Sequence, residues 1–138
     1  MEKIIKTLMK EAEKAYRKRE VPVGCVVVRK NKIIGRAHNT KQKGCCCINH
    51  AEILAIKKAG RKIKDWRLND CELFVTLEPC KMCMEVIRQS RIKKVFYILK
   101  SNFTNEDFKK IDVLPLNVDP LFIENYKMKM KAFFSIKR

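Results

Sequence analysis

The 138-residue chain is poor in glycine, proline and acid, with 4 Gly, 4 Pro and 15 Asp plus Glu against 32 Lys plus Arg. So few glycines and prolines, beside 46% hydrophobic residues, exclude a low-complexity chain and indicate a folded one. No apolar run approaches the roughly 20 residues that cross a bilayer, so no membrane-spanning helix is expected. A secretory leader is not expected either, because MEKIIKTLMKEAEKAYRK meets an acid at its second residue and reads as an amphipathic helix. These absences predict a cytoplasmic chain with one domain over residues 1–138. The acid deficit leaves a net charge of +17, which is 32 minus 15. Such an excess suits a nucleic-acid footprint, although a lysine-rich surface without a partner carries the same charge.

What the chain has instead is cysteine, seven in all. In a reducing compartment an odd count points away from a disulfide framework and toward metal binding or buried thiols. Periodicity places these cysteines. Ile4, Ile5, Leu8, Met9, Ala12, Ala15 and Tyr16 recur at helical spacing over residues 2–18. VGCVVV (23–28), the polar turn 30–32 and IIGRA (33–37) read as a hairpin. Residues 39–49 form a loop, and HAEILAIKKAG (50–60) a helix stopped at Gly60. CELFVTL (71–77) is a strand, Pro79 opens a helix through residue 90, and KVFYIL (94–99) is a further strand. This βαβαβ alternation implies largely parallel strands with helices on the faces. Beyond Lys100 the pattern weakens to a helical turn at 104–110 capped by Thr104, and at best a short edge strand in 111–118, with its proline. A last helix over 120–134 carries Leu121, Ile123, Tyr126, Met130, Phe133 and Phe134.

Two helix starts carry chemistry. One is His50-Ala51-Glu52; the other is Pro79-Cys80-Lys81-Met82-Cys83. Cys80 and Cys83 share one face of a first helical turn, where the helix dipole favours the thiolate that binds metal. His50 lies about one βαβ repeat earlier, so both helix N-termini can meet at one end of the sheet. One His and two Cys leave a fourth zinc position for water, and Glu52 is near enough to move that water's protons without binding the ion. H-x-E followed by P-C-x-x-C is itself the known signature of zinc nucleobase deaminases. A redox pair or two core thiols is the bland reading of Cys80 and Cys83. At most two of Cys45, Cys46 and Cys47 could face one ion in an extended segment, so that triplet reads as a bystander. Cys25 and Cys71 read as small buried hydrophobes.

The chain resembles bacterial tRNA-specific adenosine deaminases, within the zinc-dependent cytidine/deoxycytidylate deaminase superfamily, over about residues 1–100. The resemblance rests on EVPVGCVVV, IIGRAHN, HAEILAI, DWRLNDCELFVTLEPCKMC and SRIKKVFY, with AFFSIKR at the tail. It implies a three-layer α/β/α fold with a mixed, mostly parallel sheet of four to five strands. It makes His50, Cys80 and Cys83 the ligands of one Zn2+ per chain and Glu52 the proton shuttle. It further implies substrate contacts from Asn39, the Ala51 N–H and Val23, with Phe133, Phe134 and Arg138 near the RNA. A turn role for Asn39 and a core role for the two phenylalanines are the competing readings. The implied reaction is hydrolysis of the wobble adenosine of a tRNA anticodon to inosine, in a homodimer. Two other readings stand beside it: a deaminase of another base or nucleoside (cytosine, cytidine, guanine), and a zinc-stabilised RNA-binding module without turnover. The +17 charge favours an RNA partner, and the intact Glu52 favours turnover. The sequence departs from the family at LKSNFTNEDFKK, after which no clear fifth strand is expected, and at CCCINHAE, which lacks the usual proline.

Overall fold

The structure, a computed structural model, describes residues 1–102 and 106–137. Its elements run α1 (Glu2–Arg17), β1 (Gly24–Arg29), β2 (Lys32–His38), α2 (Ala51–Ile63), β3 (Cys71–Leu77), α3 (Lys81–Gln89), β4 (Lys94–Leu99), a 3-10 turn (Glu106–Phe108), β5 (Asp112–Pro115) and α4 (Pro120–Lys137). The five strands form one sheet in the order β2-β1-β3-β4-β5. β1 is antiparallel to both β2 and β3, whereas β3, β4 and β5 are mutually parallel. Four strands therefore point one way and β1 the other, which gives the mixed, mostly parallel sheet expected.

Strand alternation sends successive side chains to opposite faces, and each face is apolar because helices cover both. Cys25 and Val27 of β1, Leu73 and Val75 of β3, and Val95 and Tyr97 of β4 bury against Ala51, Ala55 and Ala59 of α2 and Met84 and Ile87 of α3. Val26, Val28, Phe74 and Ile98 bury on the other face with Leu8 of α1, and Phe122 and Ile123 of α4 pack there. The layers are thus α2/α3, sheet, α1/α4. Two glycines set how closely helix and sheet approach. A Cβ on Gly24 would lie 2.5 Å from the Leu8 carbonyl oxygen, and one on Gly35 2.4 Å from that of Ala55. Lys30 and Asn31 take left-handed φ of 49° and 65°, so the polar turn closes the hairpin as its residue types suggest. A network joins α4 to the sheet: the Tyr126 hydroxyl donates to the Pro22 carbonyl at 2.7 Å and lies 2.9 Å from Thr76 Oγ1, which accepts the Gly24 N–H.

Two expectations change. α2 does not stop at Gly60 but runs to Ile63, and Lys64 takes the left-handed cap at φ 58° while the Asp65 N–H returns to the Gly60 carbonyl. A fifth strand does exist. β5 pairs Lys94–Tyr97 with Asp112–Pro115, and Pro115 fits because it sits on the sheet's edge. The expected Thr104 cap lies outside the described residues.

Candidate metal centre and catalytic pocket

His50 and Cys80 occupy equivalent places. Each is the N-cap of its helix with extended backbone, and its carbonyl accepts the first helical N–H, from Leu54 and Met84 respectively. Neither caps with its side chain, which leaves the imidazole and the thiol turned toward each other. Cys83, one turn into α3, is buried. The ligand atoms of His50, Cys80 and Cys83 lie within 4.8 Å of one another. His50 Nδ1 stands 3.8 Å from Cys80 Sγ and 3.4 Å from Cys83 Sγ. A tetrahedral zinc, bonded at about 2.3 Å to sulfur and 2.0 Å to nitrogen, spaces such atoms about 3.6 Å apart. The donor set therefore fits zinc in both chemistry and spacing, with Nδ1 as the ligating nitrogen. Among the described residues this is the one such cluster.

Electrostatics prepare the thiols. A hydrogen bond from Cys83 chiefly, then His50, brings Cys80 down to about 4 against the cost of burial. The same bond, then burial, pushes the Cys83 thiol up. The hydrogen bond to Cys80 raises the His50 imidazole. Thiol ligands bind a dication as thiolates, so metal binding at such a cluster would release protons. Glu52 is buried at 4% exposure. Burial is the largest influence on its carboxyl and lifts it to about 7, with a backbone hydrogen bond and His50 pulling the other way.

A cavity of about 160 Å³ opens on the cluster, lined by Val21, Val23, Asn39, His50, Glu52 and Cys80 among others. That is below the roughly 300–1,000 Å³ of sites for drug-sized ligands, and on the scale of one base. A wider hollow, about 760 Å³ between α1 and α4, carries none of these residues. Asn39 directly follows β2, and its Oδ1 accepts the Ala51 N–H at 2.8 Å. Asn39 is thus both wall and brace, and the Ala51 N–H expected to meet substrate already holds the asparagine.

The C-terminal residues expected near RNA divide. Phe133 is buried, Phe134 is 45% exposed, and their rings meet edge to face at 5.1 Å. Phe133 takes the core role, Phe134 stays at the surface, and Arg138 lies outside the described residues. Cys45 and Cys47 are exposed and Cys46 half-buried, while Cys25 and Cys71 are buried. The triplet rides a loop fastened by buried Glu20, whose carboxylate accepts the Gln42 and Lys43 N–H groups at 3.1 and 2.9 Å.

Sequence reasoning did not pick out Glu78, Ser101 or Lys41, which also line the cavity. Glu78 is buried and accepts both the N–H and the hydroxyl of Ser101, at 3.1 and 3.2 Å. An acid wedged between a buried strand and Pro79-Cys80 was the available signal.

The zinc-binding region of cytidine and deoxycytidylate deaminases matches residues 1–99. A tRNA-specific adenosine deaminase of Streptococcus pyogenes serotype M1 is 44% identical over 106 residues, 77% of this chain and 60% of that protein. This chain accordingly spans about three fifths of that relative's length. A tRNA-specific adenosine deaminase of Rickettsia bellii is 39% identical over 136 residues, covering 91% of this chain and 94% of the relative. A solved structure from studies of A-to-I editing by tRNA:A34 deaminases at the wobble position of transfer RNA superposes with a TM-score of 0.77 at 29% identity, over 82% of this chain and 96% of that one. With the ligand triad, the buried glutamate and these likenesses in agreement, the chain belongs to the cytidine and deoxycytidylate deaminase zinc-binding family.

Proposed function

We propose that the protein hydrolyses adenosine to inosine at the wobble position of a tRNA anticodon, as a cytoplasmic homodimer. One observation carries the chemistry: a base-sized cavity brings the buried Glu52 carboxyl, the Asn39 side chain and the open side of a three-ligand cluster onto one volume. The matched relatives' names and the +17 charge support RNA as the substrate class.

Zinc, when bound by His50, Cys80 and Cys83, supplies the Lewis acidity that makes water reactive near neutral pH. Glu52 takes a proton from the attacking water and delivers it to N1 of adenine as oxygen adds at C6. It then carries the remaining hydroxyl proton to the exocyclic amine, the C6–N bond breaks, and ammonia leaves with inosine as the other product. Burial keeps Glu52 away from bulk water and so preserves it for these transfers. Asn39, fixed by the Ala51 N–H, orients the base, and Val23 walls the cavity beside it. A base must be splayed from its loop to enter so small a space, which suits an anticodon rather than a duplex.

The test is a panel. Zinc-loaded protein is offered an anticodon stem-loop with adenosine at the wobble position, and separately free adenosine, cytosine, cytidine and guanine. Inosine confined to the stem-loop is expected; turnover of free bases or nucleosides alone contradicts the reading. Sedimentation of the same preparation checks the homodimer.

A further inference from the structure

The zinc-ligand cluster lies at the N-termini of α2 and α3, while the protein's lone tryptophan lies beyond their other ends. Trp66 is 57% exposed, which is unusual for so large an apolar ring. Two guanidinium groups lie over it, Arg67 at 5.3 Å and Arg91 at 5.6 Å from the ring centroid. Arg91 also belongs to a neighbouring hollow of about 610 Å³, where Arg88, Lys93, Lys109 and Lys110 join it against Asp107, the single acid among the described lining residues. Glu85 engages Arg88, with Nε at 2.9 Å, and the remaining balance is still strongly positive. The surface is continuous because Arg91 contributes to both the ring and the hollow. A hydrogen bond from the Leu68 N–H to the Ser90 carbonyl at 2.8 Å ties the two loops that carry it. Arg91 itself is held at a left-handed φ of 74°.

An exposed aromatic between cations, beside a wide basic hollow, is the composition of a single-strand or loop RNA platform: bases stack on the ring and phosphates meet the cations. An acidic protein surface would satisfy the cations but make no use of the exposed ring. α2 has 13 residues, so at 1.5 Å per residue the platform lies about 20 Å from His50. It cannot touch the reacting base.

We propose that Trp66, Arg91, Lys93, Lys109 and Lys110 form a second RNA contact face, remote from the cavity, which grips the backbone and one unstacked base of the same RNA substrate. This rests on the reading that the substrate is a structured RNA.

The lone tryptophan makes the face self-reporting. Titration of the zinc-loaded protein with a full-length tRNA transcript should quench Trp66 fluorescence in step with binding measured by electrophoretic shift. Trp66→Ala should weaken binding about tenfold, the scale of one lost base stack. Lys93→Ala, Lys109→Ala and Lys110→Ala together should flatten the plot of log affinity against log salt by about two to three. Both variants should raise KM for tRNA and leave kcat at saturation unchanged. Unchanged fluorescence at RNA saturation overturns the proposal. So does a Trp66→Ala protein whose oligomeric state changes at unaltered RNA affinity, which would assign the face to a second copy of the chain. The two readings fail separately: quenching without inosine formation spares the face and sinks the assigned reaction, whereas inosine formation without quenching does the reverse.

Discussion

Glu11 and Glu52 are both buried carboxylates on helices, one on each side of the sheet. Glu11 accepts from Arg36 Nε at 2.7 Å, His38 Nδ1–H at 2.8 Å and Lys14 Nζ at 3.2 Å. Burial alone would raise its carboxyl, yet those three donors hold it at about 2. Among the described residues Glu52 has no such set of donors, and burial lifts it to about 7. A carboxylate surrounded by donors is fixed as an ion and serves as a clamp, here between α1 and β2. A buried carboxyl beside the His50, Cys80 and Cys83 cluster can take up and release a proton, which is what the proposed shuttle must do.

The sharpest way to break the contrast is at the metal ligands, since Glu52 has work only if zinc is bound. Cys83→Ser should reduce zinc content from one per chain to near zero and abolish inosine formation, measured by metal analysis and nucleoside chromatography. Retained stoichiometric zinc would show that the three-ligand assignment is wrong. Next in size is Glu11→Gln, which should lower stability by about 2 kcal/mol, because Arg36 and Lys14 are partly exposed and can be rehydrated. Its kcat should change little. A large loss of kcat with unchanged stability would erase the distinction between clamp and shuttle.

The pH dependence refines the same contrast. The carboxyl of Glu11 sits at about 2 in the fold against a reference of 4.5, so its stabilisation is present above about pH 4.5. It is lost as pH falls toward 2, because the unfolded chain takes up that proton first. The stability difference between wild type and Glu11→Gln, from denaturant titrations, should therefore shrink over that window and be flat above pH 5. A difference that grows on acidification would contradict the assigned role. The smallest effect belongs to the other cysteines. Cys45→Ser, Cys46→Ser and Cys47→Ser combined should leave zinc content at one per chain and change stability by less than about 0.5 kcal/mol, as for surface positions. Loss of zinc from that folded variant would make the triplet a ligand source.

These residues also show what was legible beforehand. The clustering of His50, Cys80 and Cys83, with Glu52 beside them, could be read because each half of the site is a helix start, where a spacing of two or three residues already fixes a shared face. The clamp could not. Glu11 finds its β2 partners at 25 and 27 residues' separation, and Glu20 closes its loop at 22 and 23, so no local spacing marks either. β5 hid for a related reason: its pairing is supplied by β4, through bonds such as Leu116 N–H to the Tyr97 carbonyl at 2.7 Å, and its own proline argues against a strand. Gly60 misled because a glycine can be chosen for close packing as well as for stopping a helix. A Cβ there would come within 3.3 Å of the Asp65 carbonyl oxygen, in the turn that follows α2.

The proposed role of Glu52 is to move protons without holding the metal. Glu52→Ala, assayed side by side for zinc content and for inosine formed in the wobble stem-loop, tests it most directly. One zinc per chain is expected, with turnover reduced by about a hundredfold to ten-thousandfold, the range of a lost general acid–base group. Loss of zinc from the folded variant, or turnover close to wild type, would contradict it.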